Sequence, residues 1–258
     1  MPFYSSAGSA SSAQPIGCST MHLSIPFAAR AYGSSRRTEA GCLTATTTCP
    51  RVGHCHPRVV EALGRQAALL NTPTRYMHET VLDYAERLLA TMPAEIGNVM
   101  FTCTGSEAND LAVRVARSVT GNTGFVVTAN DYHGVTATVA EMSPSLGAAV
   151  ALGAYVRTVP VPDVYRDGAS GAAATFTRAV EAAIASLAEA GMRPAALLFD
   201  TVFASDGVAL DPPGFVAGAA AAVRAAGGLY IADEVQAGLA RTGSHMWASS
   251  ATASCWTS

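Results

Sequence analysis

One stretch constrains this chain more than any other: Gly228–Gly243, GLYIADEVQAGLARTG. Leu229, Tyr230, Ile231 and Ala232 form an apolar run that ends in two acids, Asp233 and Glu234. A Gly-rich segment closed by Arg241 follows. A strand apolar at consecutive positions is buried on both faces, as in parallel sheets between layers of helices. Ligands of such sheets bind beyond the carboxyl ends of the strands, so this run delivers a carboxylate to a binding edge. Further strands are expected at Asn98–Cys103, Gly124–Thr128, Tyr155–Val159 and Ala195–Asp200, with the last at Gly228–Ala232. Helices are expected near Glu107–Val119, Ala172–Ala190 and Gly214–Ala226, and Pro160–Gly171 reads as a surface loop. Alternation of this kind predicts an α/β fold, a mostly parallel sheet flanked by helices. Upstream, Arg58–Leu70 has helical spacing (Val59, Val60, Leu63, Ala67, Leu70), and a second helix is expected from about Glu79 to Ala90.

Three further segments carry chemistry. Thr104-Gly105-Ser106-Glu107-Ala108-Asn109-Asp110 follows a strand and opens a helix. Free N–H groups and the positive end of the helix dipole suit that turn to a phosphate; Gly105 permits close approach and Ser106 adds a hydroxyl. An ordinary helix start also favours Ser and Glu, so the turn by itself leaves both readings open. Tyr132-His133-Gly134 lies just beyond the second strand, and Asp200-Thr201 ends the fourth. Asp233 reads either as a ligand carboxylate or as a cap for the next segment, and Gln236 and Arg241 fit both.

Several functions are disfavoured. Leu229–Glu234 looks like the Walker B strand of an ATPase, but that chemistry needs a Gly-rich loop ending in Lys-Ser/Thr, and all 16 basic side chains are arginines. No GxGxxG follows a strand. A net charge of −3 gives no electrostatic case for nucleic acid or an anionic membrane. The longest apolar candidate, Leu146–Val156, is too short to span a bilayer, and no basic region followed by an apolar block marks a signal peptide. Six cysteines without tight pairing point to reduced thiols in the cytoplasm. Adjacent residues of an extended segment point in opposite directions, so His54-Cys55-His56 is not expected to hold a metal.

Ala232–Gly243 resembles the ADEVQxGxxRTG signature of class-III aminotransferases, fold type I enzymes that use pyridoxal phosphate (PLP). Val52-Gly53-His54-Cys55-His56-Pro57 and Leu70-Asn71-Thr72-Pro73-Thr74-Arg75-Tyr76 are similar to that family's N-terminal region, and Gly105–Asp110 to its phosphate cup. The resemblance covers residues 52–247. It implies the large domain of that fold with an incomplete sheet, laid out as an N-terminal helical segment 51–92 and a partial PLP-binding domain 93–247. Asp233 is then the partner of the protonated pyridine nitrogen, Gln236 approaches the ring's 3-oxygen, and Val235 stands between them. Gly105 and Ser106 hold the phosphate, Tyr132 stacks on the ring, and His133 lies beside it. The implied activity is amino-group transfer between an amine or amino acid and a keto acid, in a homodimer whose partner completes the active site. TCTGSEANDLAVRVAR resembles the subgroup that includes ethanolamine-phosphate phospho-lyases, which eliminate phosphate with the same cofactor. The family also needs a lysine to hold PLP as a Schiff base, and this chain contains none. The expectation is an inactive fragment; the alternative is a remnant that binds PLP or dimerises without catalysis.

Residues 1–50 are rich in Ser, Ala and Thr and lack periodicity, so they read as a leader, disordered or out of frame, and 248–258 as an out-of-frame tail. Trp247–Ser258 can be back-translated with GC-rich codons and regrouped so that each third base opens the next triplet. It then reads GFQRHGVVLDI, with Gly and Asp forced by the single tryptophan codon. The same regrouping of Ser12–Pro50 permits a family-like segment ending in YNNVP. Four of the six cysteines, Cys18, Cys42, Cys49 and Cys255, lie in these flanks. Resequencing past codon 258 is expected to reveal single-base corrections near codons 51 and 247 that restore one frame with a downstream lysine. An unchanged sequence overturns that expectation.

Overall fold

The computed structural model describes residues 52–251, apart from residues 54, 74 and 211. The expected leader and the end of the expected tail, 252–258, lie outside the described residues, as does His54 of the His-Cys-His triplet. In chain order the elements are α1 (Pro57–Leu69), α2 (Glu79–Leu89), α3 (Gly105–Thr120), β1 (Gly124–Thr128), α4 (Ala137–Ala140), β2 (Val156–Val159), α5 (Val164–Asp167), α6 (Ala169–Glu189), β3 (Pro194–Asp200), α7 (Val216–Ala225), β4 (Leu229–Asp233) and α8 (Ala248–Ala251). The four strands form one parallel sheet in the order β2-β1-β3-β4. This is the mostly parallel, helix-flanked architecture that the apolar runs imply.

Strand pleating sends alternate side chains to opposite faces, and both faces are covered. Val126 of β1 with Leu197 and Phe199 of β3 joins a cluster built with Phe176, Val180 and Leu187 of α6 and Val216, Ala219 and Val223 of α7. Phe125 and Val127 with Ala196 and Leu198 face the other way, against Val113 and Ala116 of α3 and Met142. Every residue of β3 is buried. Its register places Asp200 directly opposite Asp233 of β4, so two acids share the carboxyl edge.

Local chemistry sets the helix that matters most. Thr104 caps α3: its hydroxyl accepts from Glu107 N–H at 3.1 Å while Glu107 Oε2 accepts from Thr104 N–H at 3.0 Å, a reciprocal capping box. Gly121 ends the helix in the left-handed region (φ 68°), which glycine enters without a Cβ penalty.

Two expectations need correction. Asn98–Cys103 forms no strand, and Met100 is 72% exposed. Among the described residues no strand lies beside it to complete a ladder. Phe101 stacks on Tyr84 of α2 at 5.4 Å, and the N–H groups of Cys103 and Thr104 bond to Glu107. Pro160–Gly171 is not all loop: Asp163 accepts from Tyr165 and Arg166 N–H to start α5, and α6 begins at Ala169. In the expected tail, Ala248 and Ser249 open α8 through N–H bonds to Glu234 at 3.1 and 2.6 Å.

Helices α1 and α2 bury nothing; Val59, Val60 and Leu63 of one and Val81, Leu82 and Tyr84 of the other are exposed.

Phe176 packs on Phe199, Phe203 and Phe215 with ring centroids 5.3, 6.0 and 5.5 Å away. Phe176→Ala is therefore expected to cost about 3–5 kcal/mol of unfolding free energy in urea. A loss below about 1 kcal/mol would show that this cluster does not hold α6 to the sheet.

Candidate active site

At the carboxyl edge of the sheet a cleft of about 470 Å³ opens. Gly105 and Ser106 enter it from α3, Tyr132, His133 and Gly134 from the loop after β1, and Asp200, Asp233, Val235 and Gln236 from the ends of β3 and β4. The structure thus brings all seven sequence-derived site residues round one opening. A larger hollow of about 1050 Å³ lies between α1 and α2, but it is mainly apolar and no acid lines it.

The phosphate-sized end is built from backbone. The capping box occupies Glu107 N–H, while the N–H groups of Gly105 and Ser106 belong to the helix's first turn and have no intrahelical acceptor. Close packing explains the glycines. A Cβ on Gly105 would meet Val235 Cγ2 at 2.7 Å. Gly134 has φ +138°, and a Cβ there would meet Ser106 Oγ at 2.4 Å. Ser106 Oγ accepts from Val135 N–H at 3.1 Å, so the β1 loop closes directly onto the helix start.

The charged end centres on Asp233, 6% exposed. Its Oδ2 accepts from Asn109 Nδ2 at 2.8 Å and lies 2.9 Å from His133 Nδ1; its Oδ1 accepts from Val235 N–H at 3.0 Å. A carboxylate offers about four acceptor positions, so one remains for a donor in the cleft. His133 touches the cleft but commits its ring nitrogens to acids: Nδ1 to Asp233 and Nε2 to Asp131, 3.2 Å away. Burial disfavours its charged form; the contacts with Asp131 and Asp233 outweigh that and push its pKa up to about 9. The imidazole is a support behind Asp233.

Asp200 lines the cleft but spends its oxygens on its own loop. Its oxygens accept from Val202 and Ala204 N–H at 3.0 and 3.1 Å, folding the loop after β3 back onto the strand end. Burial raises its pKa to about 6 against those bonds, helped by the charges of Asp233 and Asp131.

Sequence reasoning assigned no role to Asn109, Asp131 or Ser143. Asn109 Nδ2 also donates to His133 O at 2.9 Å, and Ser143 Oγ accepts from His133 N–H at 2.9 Å. For Asn109 a signal existed: it lies four residues after Gly105, on the same helix face.

A helix start whose first N–H groups lack intrahelical acceptors and a buried carboxylate, both at the edge of a parallel sheet, suit a ligand with an anionic end and a cationic end. The class-III aminotransferase profile matches residues 43–253, and the chain belongs to that family, whose cofactor is pyridoxal phosphate. It is 36% identical over 209 residues to an alanine–glyoxylate aminotransferase 2-like protein of Drosophila melanogaster, covering 76% of this chain and 42% of the relative. An Arthrobacter phospholyase solved with phosphoethanolamine superposes with TM-score 0.74 at 42% identity, over 78% of this chain and 49% of the other. The taurine:2-oxoglutarate aminotransferase of Bifidobacterium kashiwanohense, solved with PLP and glutamate, gives 0.67 at 28% identity, over 78% and 47%. The chain spans less than half the length of each of these relatives.

The Asp200 pKa generates a pH test. Raised from 3.8 to about 6, the folded carboxyl holds its proton more tightly than the unfolded one. Its contribution to stability is complete below about pH 4 and is lost as pH rises through about 6. The stability advantage of the wild type over Asp200→Asn in urea should shrink by roughly 2 kcal/mol between pH 4 and pH 7. A constant difference rejects the titration.

Proposed function

We propose that this chain is the cofactor-binding part of a PLP-dependent aminotransferase acting on an amine or amino acid and a keto acid. The observation that carries the reading is one cleft with a phosphate-type helix start at one end and Asp233 at the other. The cradle fits the group: the first-turn N–H groups of Gly105 and Ser106 lack an intrahelical acceptor, and Asp233 keeps an acceptor position open. When bound, PLP supplies an electron-withdrawing ring that stabilises negative charge on a substrate carbon. The residues of this chain bind and orient. Gly105 and Ser106 would hold the phosphate with their N–H and hydroxyl groups, and Tyr132, Gln236 and Val235, which line the same cleft, would hold the ring. Asp233 would accept from the ring N–H and keep that nitrogen charged, because Asn109, His133 and Val235 fix the carboxylate in place.

Phosphate elimination from a phosphorylated amino alcohol is the second reading, supported by the 42% identity to the phospholyase solved with phosphoethanolamine. A homodimer fits the uncovered apolar residues of α1 and α2. No helix among the described residues is long and apolar enough to cross a membrane, and Cys55 and Cys103 are free. A cytoplasmic address follows as part of the same proposal, to be read by cell fractionation.

Titration of the 258-residue chain with PLP, followed by fluorescence, is expected to saturate, and Asp233→Ala to weaken binding about tenfold or more. Borohydride should trap no cofactor on a side chain and no amino transfer should occur, since the polypeptide has no lysine. Sedimentation of the same sample should give a dimer. Absence of saturable binding overturns the cofactor reading, amino transfer or phosphate released from phosphoethanolamine overturns the expected inactivity, and a monomer removes the dimer.

A further inference from the structure

The most deeply buried acid beside the cleft does not reach it. Asp131 is wholly inaccessible, with Oδ2 at 3.2 Å from His133 Nε2 and 3.3 Å from Thr128 N–H. Its Oδ1 is buried without a hydrogen-bond partner, and so is His133 Nε2, whose approach to Asp131 is a charge contact rather than an in-line bond. A buried carboxylate in that position calls for a countercharge, and among the described residues His133 is the cationic group in contact with it. The same ring passes the constraint on through Nδ1, 2.9 Å from Asp233 Oδ2.

We propose that Asp131 is a positioning residue: acting through His133, it fixes the orientation of Asp233, so that the row Asp131–His133–Asp233 presents one net negative charge to a cationic ring nitrogen in the cleft. This rests on the cofactor reading above. The charge count is simple. Two carboxylates and one imidazolium sum to minus one, and a protonated ring nitrogen brings these three groups to neutrality. Charging of His133 at neutral pH agrees with its pKa near 9.

Two neutral groups hold the backbone of His133: Asn109 of α3 donates to its carbonyl, and Ser143, in the turn after α4, accepts from its N–H. Further acids flank the row. Asp200, at the end of β3, interacts with Asp131 and Asp233 by charge, and Asp206, bonded to Thr128 and to Asn130 N–H, faces Asp131. Burial raises the pKa of both, that of Asp200 to about 6, so at neutral pH Asp200 still ionises and adds a negative charge beside the row. A merely structural Asp131 would support the loop without influencing which ring the cleft prefers. A positioning Asp131 makes the preference for a ring nitrogen depend on it.

The test uses the full chain in two arms. In the first, NMR follows the His133 resonance, assigned against His133→Gln, through a pH titration without cofactor. The wild-type imidazole should titrate near 9, and Asp131→Asn should lower that by at least about one unit. In the second, affinities for PLP and for its 1-deaza analogue, which lacks the ring nitrogen, are compared. The wild type should prefer PLP by about tenfold or more, and Asp131→Asn should reduce that preference to within about twofold. A wild-type His133 titrating at or below its ordinary 6.5 overturns the proposal, whether or not the variant folds. So does an Asp131→Asn chain that keeps the wild-type preference. If the wild type takes up neither compound, the cofactor reading falls, and the His133 titration still decides whether the row is charged.

Discussion

One side-chain amide ties the site together. Asn109 Nδ2 donates to His133 O and to Asp233 Oδ2, and so joins α3, the loop after β1 and the end of β4. Both acceptors are buried, so removing the donor would leave a carbonyl and a carboxylate short of partners in a medium that penalises them. Asn109 also fixes how α3 is rotated. Gly105 and Ser106 lie one turn before it, so the amide that steadies the carboxylate also aims the first-turn N–H groups into the cleft. The anion-binding end and the cation-binding end keep a fixed separation, which is what a rigid two-ended ligand requires.

The acids at the sheet edge survive burial by one repeated device. Asp200 accepts from Val202 and Ala204 N–H, and Asp233 from Val235 N–H; Asp206 takes Asn130 N–H. Main-chain donors that leave the sheet at its carboxyl edge would otherwise lack partners, and the strand-end carboxylates supply them. Behind this polar rim the sheet is dry on both faces, with Phe176, Phe199, Phe203 and Phe215 on one side and Phe125 with Met142 on the other. The packed scaffold fixes the strand ends from which the rim and its loops depart.

Much of this was legible in the residues. The run Leu229–Asp233 reads as a buried parallel strand because its apolar positions are consecutive, and that reading alone places Asp233 at the ligand edge. The start of α3 is legible for the same local reasons that make it a helix start. The site's supports were harder to read. Asp131 looks like any loop acid until folding brings His133 against it, and Asn109 is one polar residue of a helix until β4 arrives beside it; these are contacts across 100 or more positions in the case of Asp233. The Asn98–Cys103 expectation failed because a strand exists only with a neighbour, and propensity says nothing about where the neighbour is.

Asp233 and Glu234 stand side by side at the end of β4 and are used oppositely. The first is turned to the cleft, while the second anchors α8 through the N–H groups of Ala248 and Ser249, next to Trp247, whose ring nitrogen reaches Thr91. A strand assigns its side chains by parity alone. Shifting β4 by a single residue against β3 would turn Glu234 into the cleft and Asp233 toward α8, exchanging the ligand partner for the structural peg without changing composition or charge. The function of this edge is therefore encoded in register as much as in residue type. The pairing of Ala196 with Leu229, at the far end of the ladder, is as much a determinant of the site as the acids themselves.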